Sequence, residues 1–163
     1  MQFLRDGAST SEGSDLITDF SNAFAVDLEV MPDDIDGLGH MNNAIYVNWL
    51  DQANLLHTFH LGITSEVMQQ TGCALVVRHT ELTYLAPLRQ GDVARVGTCV
   101  SACDGRLRLQ RSFQMVRVPD GLTMLRGTID YICIDYKKGK PKRMPEFYSR
   151  VYSTSIIHCE HGV

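Results

Sequence analysis

The stretch "DIDGLGHMNNAIYVNWLDQA", residues 34–53, joins a polar loop to a helical pattern, and this junction decides the fold. Acids, glycines, a histidine and two asparagines fill the loop. Apolar residues then recur with helical spacing on one face, which holds Tyr46, Trp49, Leu50, Ala53 and Leu56. The pattern predicts a helix from about Asn43 to a stop near Gly62. Its apolar face is wide, so other elements should cover this helix on most sides.

Strand patterns dominate the rest of the chain. Alternating runs predict a strand before the helix, at 24–31, and four long strands after it, at 73–86, 92–103, 106–118 and 122–136. Short helices are predicted at 64–70 and 146–152. The dipeptide Asp104-Gly105 is a strong hairpin signal. This order predicts an α+β fold in which the four later strands form an antiparallel meander wrapped around the long helix.

Length and charge limit the classes of protein to consider. The 163 residues fit one domain, at 22–153, between a flexible N-terminal tail at 1–21 and a C-terminal tail at 154–163. The formal net charge of -4 gives no electrostatic reason to expect nucleic acid or an anionic membrane as a partner.

Cysteine usage and hydropathy indicate the cellular compartment, and the cysteine and histidine pattern bears on metal binding. The five cysteines are odd in number and form no CxxC pair, which favours free thiols in a reducing compartment. No apolar run has the length of a membrane span, and the N-terminus lacks a signal-peptide pattern, so we expect a cytoplasmic protein. The "HCEH" ending at 158–161 invites a metal interpretation. It lies in a terminal tail, so we expect neither metal nor cofactor.

Three segments of the chain form a recognisable pattern. The first is Asp36 followed by Gly39-His40-Met41-Asn42-Asn43, Tyr46 and Trp49; the others are "YLAPLRQGD" at 84–92 and "CIDYKKGKPKRMP" at 133–145. Together they resemble the hotdog thioesterases of the 4-hydroxybenzoyl-CoA thioesterase type. The resemblance covers residues 25–148. It implies a hotdog fold, hydrolysis of an acyl-CoA or acyl-ACP (acyl carrier protein) thioester in fatty acid metabolism, and a homodimer or homotetramer. Plant acyl-ACP thioesterases have a related motif, with asparagine where Leu38 stands here.

The resemblance makes Asp36 the first candidate for nucleophile or general base; the alternative is a loop aspartate that caps the turn. His40 could orient Asp36, bind the thioester carbonyl, shuttle a proton, or simply fix the loop. Asn42 and Asn43 suit a helix N-cap, and Asn42 could also donate to the carbonyl. Asp51, on the helix, is a second candidate carboxylate, with a solvated role as its alternative. The helix N-terminus offers N–H donors to an oxyanion.

Substrate-binding candidates are more dispersed. Gly39 would give the thioester room, and an apolar lining would include Tyr46, Trp49, Met68 and Leu75. Lys138, Lys140 and Arg143, in a basic turn, could bind the phosphates of CoA or form an ordinary solvated hairpin. Two other functions stay open: a hotdog protein that binds acyl-CoA without cleaving it, and a hydratase or dehydratase, whose motif has a different spacing.

Overall fold

The computed structural model describes Ser9–Thr10 and residues 23–157 of the chain. Most of both predicted tails, including His158 to His161, therefore lies outside the described residues. The strands are β1 Ser9–Thr10, β2 Phe24–Glu29, β3 Cys73–Tyr84, β4 Val93–Cys103, β5 Arg108–Arg117, β6 Thr123–Asp135 and β7 Lys140–Pro141. The helices are α1 Asn43–His60, α2 Ser65–Thr71 and α3 Glu146–Thr154, and Pro32–Asp34 forms a 3-10 turn.

The strands form one antiparallel sheet in the order β1-β2-β4-β5-β6-β3, with β7 beside β6. The predicted four-strand meander is wrong in one respect, because β3 pairs with β6 rather than with β4. The segment between β3 and β4 is not a tight turn: Leu88 within it donates its N–H to the Tyr46 hydroxyl on α1, at 2.8 Å. The chain thus crosses the helix between β3 and β4, and only β4, β5 and β6 form a meander.

Helix α1 is the centre of the hydrophobic core, as its apolar face predicted. Tyr46, Trp49, Leu50 and Ala53 are all at most 2% exposed, and they belong to one buried cluster with side chains from β2, β4, β5 and β6. Asn42 caps the helix by accepting a hydrogen bond from Ala44 N–H at 2.9 Å. None of the helices in the described part of the chain is both long and apolar enough to cross a membrane.

A buried arginine ties α1 to the sheet and to α3. Arg111 on β5 is fully buried; its guanidinium donates to His57 Nδ1 at 2.6 Å and to the Thr58 hydroxyl at 3.1 Å. It also lies over the ring of Tyr152, 5.7 Å from the centroid. No carboxylate within the described residues pairs with it. Because Arg111 donates to Nδ1, His57 must be neutral in the folded protein.

This contact should make the protein sensitive to acid. Burial, and next the charge of Arg111, lower the pKa of His57 from 6.5 to about 3. The unfolded chain therefore binds more protons than the folded chain between these two pH values. The contribution of neutral His57 to the free energy of unfolding is fully present above pH 6.5 and is lost as the pH is lowered toward 3. We expect a loss of about 1.4 kcal/mol per pH unit within this window from His57.

Urea unfolding at a series of pH values measures this slope. His57→Gln cannot titrate and keeps an acceptor for Arg111, so its stability should depend less steeply on pH than that of the wild type. His79→Gln, at an exposed position on β3, is the matched control and should keep the wild-type slope. If the free energy of unfolding of His57→Gln depended on pH as steeply as that of the wild type, His57 would not be the source of the acid sensitivity.

Candidate functional site

The loop before α1 is held against the chain that follows β3. Met41 N–H donates to Leu88 O at 2.8 Å, and Ile35 and Met41 form an isolated antiparallel bridge across the loop. Tyr46 reaches the same segment, with its hydroxyl bonded to Leu88 and its ring edge-on to Tyr84 at 5.4 Å. The loop, the helix N-terminus and the end of β3 therefore lie together.

Asp36 has one carboxylate oxygen engaged and one open. Its Oδ1 accepts hydrogen bonds from the backbone N–H groups of Leu38, at 2.8 Å, and His40, at 3.2 Å. Its own N–H donates to His40 O at 2.8 Å. Oδ2 has no hydrogen-bond partner among the described residues, and the side chain is half-buried. The turn-forming role and an available carboxylate oxygen thus occur in the same residue.

The neighbouring loop residues differ in what they offer. Gly39 has a φ of +75°, a left-handed conformation that disfavours any side chain. The His40 imidazole makes no hydrogen bond to the described residues, so the backbone rather than this ring orients Asp36. Asn43 is the first residue of α1 and is exposed. Its N–H has no partner within the helix and is a candidate oxyanion donor.

Asp51 is exposed and does not join Asp36. It lies eight residues beyond Asn43, which places it about 12 Å further along the helix axis. No hydrogen bond joins the two carboxylates within the described residues, so the structure gives no sign that they act together in one chain. Tyr46 and Trp49 are buried in the core, with no face of either ring open to a ligand in this chain.

A cavity of about 640 Å³ lies at the other end of α1, between that helix, α2 and the start of β3. Its wall combines apolar and polar side chains: Leu55, Phe59, Ser65, Met68, Gln69, Ala74, Tyr136 and Lys137. Of these, the sequence had suggested only Met68 as part of an apolar lining. The spacing of Leu55 and Phe59, one helical turn apart on a half-exposed face, was the signal that could have predicted it.

The basic turn lies beside this cavity and far from Asp36. In the sheet, Lys140 of β7 lies opposite Asp135 of β6, and Asp135 lies opposite Cys73 at the start of β3. The Asp36 loop contacts Leu88, beyond the end of β3. The eleven steps of this strand span about 36 Å. Within one chain, the structure therefore does not bring Lys138, Lys140 and Arg143, all exposed, together with Asp36.

Comparisons with known proteins agree on one family. The sequence profile of the thioesterase-like superfamily matches residues 30–151. The chain is 25% identical over 138 residues to a chloroplastic acyl-acyl carrier protein thioesterase of Arabidopsis thaliana, covering 85% of this chain and 71% of that one. It is 25% identical over 126 residues to an acyl-CoA thioesterase of Haemophilus influenzae, covering 77% and 90%.

A solved structure shows the same architecture. The 1,4-dihydroxy-2-naphthoyl-CoA thioesterase from Synechocystis superimposes with a TM-score of 0.71 at 17% identity, covering 80% of this chain and 96% of that one. The long helix wrapped by an antiparallel sheet is thus the hotdog fold that the resemblance in three segments implied. With three quarters of its length matched by the family profile, the chain belongs to the thioesterase-like superfamily.

Proposed function

We propose that this thioester hydrolase cleaves an acyl-CoA or acyl-ACP to the free acid and the thiol, with Asp36 as nucleophile or general base. The observation that carries the proposal is the state of the Asp36 carboxylate. Its Oδ1 is fixed by two backbone N–H groups, whereas Oδ2 has no partner among the described residues and lies in the loop that leads into α1. A carboxylate held in this way is oriented without being neutralised by a cation.

The chemistry needs an attacking oxygen and a place for negative charge. As a base, Asp36 takes a proton from water while the water oxygen bonds to the thioester carbon; as a nucleophile, it bonds to that carbon itself, and water then cleaves the anhydride. In both routes the carbonyl oxygen becomes an oxyanion, and the carbon–sulfur bond breaks to release the thiol. The open N–H of Asn43 at the positive end of α1 suits that oxyanion. His40, whose ring is uncommitted, is available to carry a proton to the leaving sulfur.

A second copy of the chain would complete the site. Strand β3 is the last strand of the sheet, and its residues 76–81 are all exposed, with Val77 at 52%. A long edge strand with exposed valines favours pairing with another strand. Two-fold pairing makes the two β3 strands antiparallel, so the start of each lies beside the end of the other. The cavity of one protomer then faces the Asp36 loop of its partner.

This arrangement assigns the substrate-binding roles. In the homodimer, or a homotetramer of such dimers, the apolar side chains of Leu55, Phe59 and Met68 hold one part of the substrate, either the arm that carries the thioester or the acyl chain. The thioester itself then lies at the Asp36 loop of the partner. Asp51 lies between the loop and the cavity on an exposed part of α1 and lines the approach rather than performing the attack. We place the enzyme in fatty acid metabolism in the cytoplasm, where the four cysteines of the described residues, which form no disulfide, would stay reduced.

A panel of thioesters with a thiol reagent tests the function. The panel should contain short, medium and long aliphatic acyl groups and aromatic ones, each on CoA and on acyl carrier protein. We expect thiol release from at least one substrate, with the free acid as the other product by mass spectrometry. Tight binding of acyl-CoA without release from any substrate would favour the binding protein, and addition of water to an enoyl-CoA would favour the hydratase.

A further inference from the structure

Two hairpin ends form one cationic surface beside the cavity. Arg106 precedes β5 in the β4–β5 turn, and its carbonyl accepts a hydrogen bond from Met144 N–H at 2.7 Å, which puts Arg106 next to Arg143. Lys140 lies on β7 and Arg108 begins β5, where it pairs with Ile132 of β6. We call the resulting group the basic surface; it consists of Arg106, Arg108, Lys137, Lys138, Lys140 and Arg143, all of them exposed.

The acids within these turns do not form ion pairs with the basic surface. Asp104 uses Oδ1 to accept the backbone N–H groups of Arg106, Leu107 and Arg108. Asp135 uses Oδ1 for the N–H groups that open the next turn, and its other oxygen lies 3.8 Å from Lys142. None of the six cations lies within ion-pair distance of a carboxylate in the described residues. The carboxylates shape the turns, and the cationic side chains are left to face solvent.

Shape and charge together indicate what this surface binds. Sites for small ligands are concave and bury most of the ligand, whereas four of these side chains, Arg106, Lys138, Lys140 and Arg143, line neither the cavity nor the smaller pocket of about 370 Å³ beside Arg108 and are exposed. Asp104 and Asp135 interact electrostatically with Arg108 and Lys138 without forming ion pairs. Six exposed cations grouped on one surface of a chain with a net charge of -4 would attract and orient an acidic macromolecule. Lys137 belongs to both the basic surface and the wall of the cavity. A protein docked here would therefore sit at the entrance to the cavity.

We propose that the basic surface docks the acidic face of an acyl carrier protein, which delivers its acyl group on a phosphopantetheine arm through the cavity. This inference rests on the proposed thioesterase function and specifies the carrier. Docking on one protomer would direct the arm along the cavity walls toward the Asp36 loop of the other. The surface should supply affinity and encounter rate for the carrier protein and contribute nothing to the chemical step.

A charge-reversal variant distinguishes docking of the acyl carrier protein from binding of CoA. The test variant is Lys138→Glu/Lys140→Glu, and the matched control, with the same change in net charge, is Arg89→Glu/Arg150→Glu at two exposed positions outside the basic surface. Each enzyme is assayed with one acyl group on acyl carrier protein and on CoA. We expect kcat/KM for the carrier protein to fall at least about tenfold in the test variant through a higher KM, with kcat unchanged. Hydrolysis of acyl-CoA, which uses the same cavity entrance but brings no protein surface to it, should fall by a clearly smaller factor.

The outcomes distinguish this inference from the function on which it rests. An equal loss on both carriers would mean that the lysines bind phosphates common to both, which overturns docking of the protein. An unchanged KM for the carrier protein, an equal loss in the control, or a wild type that cleaves acyl-CoA but never the carrier-bound acyl group would also overturn it. A wild type inactive on both carriers would remove the thioesterase function itself.

Discussion

Asp36→Asn should lower kcat by roughly 100- to 10,000-fold, the usual contribution of a catalytic base. The substitution is informative because asparagine keeps an oxygen at the position that accepts the Leu38 and His40 N–H groups. The turn should therefore survive, and the loss should appear in kcat with KM little changed. Steady-state kinetics on the best substrate of the panel, together with urea unfolding of each variant, measure both effects.

Asp33→Asn is the matched control, since Asp33 is an exposed carboxylate three residues earlier in the same connection. It should retain nearly full activity. Because Asp36 also forms the turn, a purely structural role is the competing explanation, and that role predicts an active Asp36→Asn. Full activity in this variant with normal stability would therefore exclude Asp36 as the catalytic carboxylate.

Arg111→Ala should be the most destabilising single substitution that we propose, at about 3–5 kcal/mol. It would leave a large cavity between α1, β5 and α3, and it would remove the donor to His57 Nδ1 and Thr58. Loss of this much free energy is a large share of the stability of an ordinary domain. The measurement is the midpoint of urea unfolding at pH 7.5, where His57 is neutral in both states.

Arg108→Ala is the control on the same strand, three residues earlier and exposed; it should change the free energy of unfolding by less than about 0.5 kcal/mol. Arg111→Met, which fills more of the space than alanine and buries no charge, should lose less than Arg111→Ala. Equal stability of the alanine variant and the wild type would show that the buried guanidinium contributes nothing to holding these elements together.

Local patterns in the sequence were sufficient for the elements nearest the site. The change from loop to helical spacing at Asn43 placed the start of α1, and the short helix predicted at 64–70 is α2, which Thr64 caps and Gly72 ends in a left-handed conformation. These signals depend on residues close in sequence, so no knowledge of the packing was needed. The resemblance in three segments added the hotdog architecture, which periodicity alone could not specify.

Long-range features were harder to predict for identifiable reasons. Gln52 and Thr58 are polar residues of α1 outside its predicted apolar face, yet both are buried, because the sheet and α3 cover more of α1 than a single apolar face implies. Arg111 alternates regularly within β5 and carries no sign that it faces the core. The partner of β3 depends on where the chain crosses the helix, which no local pattern encodes. The separation of Asp36 from Lys138 and Lys140 follows directly from that crossing.

The central claim is that each active site combines the Asp36 loop of one protomer with the cavity of the other, and subunit mixing tests it most directly. Asp36→Asn lacks the base, and Leu55→Arg places a charge in the apolar wall of the cavity; each should be nearly inactive alone. After equal amounts are unfolded and refolded together, half of the dimers are mixed, and each mixed dimer holds one undamaged site. We predict recovery of about one quarter of wild-type activity. If each site were built from one chain, every site would be damaged, and the mixture would show no recovery.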